Sequence, residues 1–142
     1  MKKQILSVCA ALLLIAAVGA VTAPAQSSTR LEASIPFDFV VGGKTLPAGD
    51  YTVSTVLSHD PSVLAIRNPQ GCAIAITQGA DNKKSDGTNK LVFHRYGNKY
   101  FLSQIWNEDG RVSRSLPKSK LERELMASNG TSSVVMVALN SR

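Results

Sequence analysis

Cysteine and histidine are nearly absent from this chain, with two of each in 142 residues and a single Trp. Two histidines make a poor metal set, and His59 and His94 would need carboxylates such as Asp60 to complete one. No Gly-x-Ser-x-Gly elbow, His-Glu-x-x-His helix or phosphate loop occurs, which removes the common hydrolase, metalloprotease and nucleotide-binding signatures. Ser115-x-x-Lys118 has the spacing of penicillin-recognising acyl-enzymes, and Ser85-Asp86 and Lys44-Thr45 echo their other motifs. The order is wrong, Pro117 intrudes, and the chain is less than half the size such a fold needs. Residues 82–87 suggest a calcium loop, but Lys84 stands where a ligand oxygen belongs. The reading is therefore no catalytic residue, no metal site and no cofactor.

Long apolar runs are confined to the start. Met1-Lys2-Lys3-Gln4 is cationic, residues 5–21 are apolar apart from Ser7 and Gly19, and Ala23 and Ala25 form an Ala-x-Ala pattern before Gln26. This is the layout of a secretory signal peptide. It divides the chain into a leader, 1–25, and one exported domain, 26–142. The rival is a retained anchor, since an apolar stretch of 17 residues exceeds the usual core of about 7 to 15. Cys9 precedes most of the apolar segment, against lipidation. No later segment reaches the roughly 20 apolar residues that a bilayer span needs.

The formal net charge of +6 and pI near 9.6 suggest nucleic acid, but export by the general secretory route to the periplasm or beyond removes that partner. Without the leader, 14 Lys+Arg face 10 Asp+Glu, a net +4. Cys72 is then alone and cannot form an internal disulfide. It reads as a small buried apolar residue.

Turn signals recur at short intervals. Leu46-Pro47-Ala48-Gly49, Asn68-Pro69-Gln70-Gly71 and Asn107-Glu108-Asp109-Gly110 carry type I turn preferences, and Tyr96-Gly97-Asn98-Lys99 suits a two-residue hairpin. Four hairpins imply an antiparallel meander. Between them, Ile35, Phe37, Phe39 and Val41 alternate as in a half-buried strand, with Pro36 placing it at an edge or bulge. Tyr51, Val53 and Thr55 alternate next. Residues 63–66, 73–76 and 133–139 are apolar runs that read as strands covered on both sides. His59-Asp60-Pro61 is a turn, and residues 78–89 a surface loop. One helix is expected: Ser119 to Glu122 is a capping box, Leu121 and Leu125 share a face, and Asn129-Gly130 ends it. The fold class is all-β, a sandwich or small barrel of seven to eight strands with one short C-terminal helix.

The stretch at 34–51, Ser-Ile-Pro-Phe-Asp-Phe-Val-Val-Gly-Gly-Lys-Thr-Leu-Pro-Ala-Gly-Asp-Tyr, resembles the opening of a group of small exported bacterial proteins of unknown function. Leu-Val-Phe-His-Arg-Tyr-Gly at 91–97 and Leu-Pro-Lys-Ser-Lys-Leu-Glu-Arg-Glu at 116–124 resemble the same group. The resemblance implies a bacterial envelope or secreted setting and brings no catalytic residue with it.

Five of the eight aromatic residues, Phe93, Tyr96, Tyr100, Phe101 and Trp106, fall within fourteen positions. A turn centred on Gly97-Asn98 pairs Arg95 with Tyr100, His94 with Phe101 and Phe93 with Leu102. That register puts Trp106 on the face of Leu91 and Phe93 and Ile105 on the face of Val92 and His94. His94, Arg95, Tyr96, Tyr100 and Trp106 are the candidate contacts for a sugar, peptide or other small ligand, beside the simpler reading of hairpin core. Charge is uneven: residues 26–82 carry net −2 and residues 83–142 net +6. Lys118, Lys120 and Arg123, with Lys83, Lys84, Lys90, Arg111 and Arg114, are candidates to meet anionic envelope polymers or lipid headgroups; a solvated mixed face is the plainer account. The expected role is non-catalytic, binding or structural. The alternatives are a barrel carrying a small apolar ligand and, lower, a small hydrolase.

Overall fold

A computed structural model describes residues 30–57, 59–80, 86–107 and 112–141. The expected leader with Ala23, Ala25 and Gln26 lies outside these residues, as do residues 81–85 and 108–111 with Lys83, Lys84 and Arg111.

Alternation builds the first strand, β1 (Leu31–Ile35), which buries Leu31, Ala33 and Ile35. The expected strand through Val41 is broken. Pro36 cannot donate to a ladder, and after it the chain leaves one sheet and enters the other as β2 (Phe39–Val41). Gly42 and Gly43, at φ 56° and 85°, then turn it back into β3 (Lys44–Leu46) with Val41 opposite Lys44. Both angles lie in the left-handed region that glycine enters without steric cost. Leu46-Pro47-Ala48-Gly49 is accordingly not a hairpin. Leu46 pairs with Phe39 in one sheet, whereas Gly49, opening β4 (Gly49–Leu57), pairs with Ile35 in the other. The two corners are tied together by Asp38, whose Oδ1 accepts from the Ala48 N–H at 2.9 Å.

The meander continues through β5 (Asp60–Asn68) and β6 (Gly71–Ile76). His59-Asp60-Pro61 lies at the first turn, where Asp60 Oδ1 accepts from the Ser62 N–H and hydroxyl. Asn68 Oδ1 accepts from the N–H groups of Gln70 and Gly71 at 3.0 and 2.7 Å and closes the β5–β6 hairpin as expected. Next come β7 (Gln78–Gly79), β8 (Lys90–Tyr96), β9 (Lys99–Asn107), β10 (Val112–Ser115), α1 (Lys120–Asn129), β11 (Ser133–Ala138) and β12 (Asn140–Ser141). One sheet has the order β12-β1-β4-β5-β6; the second runs β11-β8-β9-β10-β7, with β2 joining β9 in parallel and β3 beyond it. Among the described residues eight strands have four or more residues, in line with the expected seven to eight, and four shorter ones serve the corners and edges.

Three expectations about coverage are corrected. β5 is interior, but β6 is an edge strand that alternates, burying Ala73 and Ala75 while Ile74 and Ile76 stand 50% and 68% exposed. Cys72 lies on that outward side and is exposed rather than buried. β11 is likewise an edge, with Val134 and Met136 pointing out. An apolar run does not distinguish a strand between two layers from one at the rim.

The interior is filled by rings. Phe39 meets Tyr51 at 5.1 Å and Phe93 at 5.5 Å, both edge-on, and Phe37 meets Phe93 at 5.2 Å. Burial of each such side chain contributes about 2 to 3 kcal/mol. Phe39→Ala is expected to cost about 3 to 5 kcal/mol in chemical denaturation, against about 0.5 kcal/mol or less for Ile76→Ser on the exposed edge.

Candidate functional site

Helix α1 begins as its sequence implies. Ser119, at φ −66° and ψ 163°, accepts from the Glu122 N–H at 3.2 Å, and Gly130, at φ 62°, donates its N–H to the Met126 carbonyl at 3.1 Å. The inward face differs from expectation. Leu125 packs on Val40, Tyr96 and Phe101, but its inward companion is Glu122, 4% exposed, while Leu121 is left 40% exposed. The Glu122 carboxylate does not return to the cap. Its Oε1 lies 3.3 Å from His94 Nδ1 on β8, a hydrogen bond to a neutral ring and an ion pair to a protonated one.

The hairpin under the helix has the expected register near its turn: Arg95 opposite Tyr100, His94 opposite Phe101, Phe93 opposite Leu102. Gly97 has φ 61°. Beyond that, Val92 pairs with Gln104, so Ser103 is an extra residue, and a bulge of this kind exchanges the faces of everything after it. Ile105 therefore joins Leu91, Phe93 and Leu102 in the core, and Trp106 moves to the outer face opposite Lys90. This corrects the expected faces of both residues, because no periodic reading anticipates the inserted residue.

The five candidate ligand contacts fall in three places. Arg95 and Tyr100 form a rim: the guanidinium carbon lies 5.5 Å from the Tyr100 ring, Nε donates to the Gly97 carbonyl at 2.7 Å, and Tyr100 stacks on Phe37 at 3.9 Å. His94 and Tyr96 lie beneath α1, with Tyr96 buried. Trp106, also buried, is at the far end of the hairpin, donating to Gln104 Oε1 at 3.1 Å beneath the Lys90 ammonium, 5.2 Å from its ring. They do not form one aromatic platform.

Lys90 is withdrawn from the expected basic surface. It is 9% exposed and donates to Asp86, whose carboxylate is held well below the ordinary range by that bond first and by the Thr88 hydroxyl next. Lys118, Lys120 and Arg123, by contrast, are exposed on and beside α1. Lys118 Nζ contacts Met126 Sδ at 3.2 Å, and Lys120 stands 3.9 Å from Glu124. Burial of Glu122 leaves this surface with three cations against one carboxylate. The outer face of the five-stranded sheet has an open groove of about 320 Å³ lined by Glu32, Ala33, Ser34, Asp50, Tyr51, Thr52 and Asn140, with Arg67 exposed in the cross-strand row of Glu32 and Thr52. Among the described residues no group of three or more His, Cys, Asp or Glu side chains could hold a metal ion. Compared with family models, curated proteins and solved structures, the chain has no match.

Glu122 was the residue that sequence reasoning missed. Its place in the capping box assigned it to the helix end, and only the packing of α1 turns it toward His94. Glu122→Ala should therefore loosen α1, costing about 1 to 3 kcal/mol and accelerating hydrogen exchange at the α1 amides, with Glu122→Gln milder. A carboxylate of depressed pKa contributes stability above its unfolded value of about 3.9 that is lost as the pH falls toward the folded value. Melting temperature should thus fall less steeply in Asp86→Asn than in the parent chain between about pH 5 and pH 2.

Proposed function

We propose that the chain is an exported, non-catalytic β-domain that binds an anionic component of the cell envelope or extracellular space through the face carrying α1. The leader layout of residues 1–25 and the resemblance of the 34–51, 91–97 and 116–124 stretches support the exported setting. The charge of the α1 face carries the binding part of the reading. Three cations stand on its exterior, and the acid that would offset one of them is directed inward at His94. The exposed cations of this face outnumber its carboxylate, Glu124, and such an excess attracts anions at long range, while the groove on the other sheet is lined by the carboxylates Glu32 and Asp50. The ring-filled interior favours this surface reading over a carrier that holds an apolar ligand inside the barrel.

The test uses the full chain expressed in a bacterial host. The exported protein should begin at Gln26 by mass and should be retained on immobilised dextran sulfate. Lys118→Gln/Lys120→Gln/Arg123→Gln should elute at much lower salt with its melting temperature unchanged. Retention equal to that of the parent chain would remove the α1 face as the anion-binding surface.

A further inference from the structure

The cations of this face are accompanied by exposed apolar side chains, and we propose that its partner is the headgroup layer of an anionic lipid bilayer, with α1 lying flat on the surface. This rests on the α1 face being the anion-binding one. Glu122 and Leu125 point inward, which places Leu121 and Met126, 40% and 41% exposed, on the two flanks of the helix. Beside the helix, Val134 pairs with His94 and Met136 with Val92, so both project from the sheet face on which His94 meets α1. They are 54% and 61% exposed. Lys99, the cross-strand partner of Tyr96, is exposed on the same side.

A soluble anionic polymer would use the cations and leave these four side chains in water. A bilayer surface uses both, since phosphates meet Lys and Arg while short apolar groups enter the boundary between headgroups and acyl chains. Inward burial of Glu122 also removes a carboxylate that anionic lipid would repel. Among the described residues, the other large exposed apolar side chains, Val56, Leu57, Ile74 and Ile76, belong to the five-stranded sheet, whose outer face carries Glu32 and Asp50 together with Arg67, which stands in the cross-strand row of Glu32 and Thr52. That face sets two carboxylates against one cation, whereas α1 sets Lys118, Lys120 and Arg123 against Glu124, so charge complementarity to anionic lipid favours the α1 face.

Sedimentation of the exported full-length protein with vesicles tests the proposal, using equal parts phosphatidylglycerol and phosphatidylcholine against phosphatidylcholine alone. Binding is expected to the anionic vesicles and not to the neutral ones. Leu121→Ser/Met136→Ser should weaken it at least tenfold while leaving retention on dextran sulfate unchanged. Lys118→Gln/Lys120→Gln/Arg123→Gln should weaken vesicle binding by about a hundredfold, roughly fivefold per charge, and Ile74→Ser/Ile76→Ser should have no effect. Near-ultraviolet circular dichroism confirms that each variant is folded. Retention on dextran sulfate without binding to anionic vesicles overturns the lipid proposal and leaves the α1 face as a site for a soluble polymer. Equal binding to both vesicle types overturns it too, and failure to bind either probe overturns the reading of the face itself.

Discussion

The contact between Glu122 and His94 is the one on which the outer surface of the second sheet depends. A carboxylate is removed from water at considerable cost unless a partner meets it, and His94 meets this one from β8. Together with Leu125 on Tyr96, Phe101 and Val40, that contact sets the rotation of α1 about its own axis. A helix of ten residues has little stability alone, so the sheet decides which of its sides faces out. The side that does carries Lys120, Arg123 and Glu124 between Leu121 and Met126, with Lys118 just before the helix. A rotation that buried Leu121 in place of Glu122 would present a more acidic and less apolar surface.

The two sheets are held in register by the chain itself. It crosses between them at residues 36–38, returns at 47–48, crosses again at the buried Thr77, whose N–H and hydroxyl donate to the Ser62 carbonyl at 2.8 Å, and crosses back at Leu139, which is buried and donates its N–H to the Asn89 carbonyl at 2.9 Å. Phe39, directly after the first crossing, meets Tyr51 of one sheet and Phe93 of the other. The core is thus stitched by rings from both layers and spends its apolar area on packing. On the exterior the two sheets differ in charge balance: Glu32 and Asp50 line the groove on one beside Arg67, and Lys118, Lys120 and Arg123 outnumber Glu124 on the other.

Much of the local structure was legible because it is encoded over a few residues. The Gly97-Asn98 turn, the Asn68 turn, the Ser119 cap and the Gly130 stop each depend on the conformation or side-chain reach of residues within four positions. The register of Arg95 with Tyr100 followed from the turn alone. Failures came where a distant partner decides. Pro47 marks a turn correctly, yet whether that turn joins two strands of one sheet or of two depends on where Phe39 and Ile35 find their partners. Residues 73–76 and 133–139 are apolar enough for interior strands, but nothing within them states that no neighbour follows. The extra residue at Ser103 separates Trp106 from Tyr100 and Arg95, and so dispersed the aromatic group that had read as one platform.

The sequence by itself determined the strand-rich class, the turns, the extent of α1 and the excess of basic charge in the second half of the chain. These follow from period, glycine and asparagine conformations, capping and composition, all local properties. Only the tertiary structure decided which sheet each strand joins, which strands are edges, and which side of α1 is outward. Those outcomes depend on pairing and burial between residues far apart in sequence, of which Glu122 and His94, 28 positions apart, are the case with most consequence for the surface.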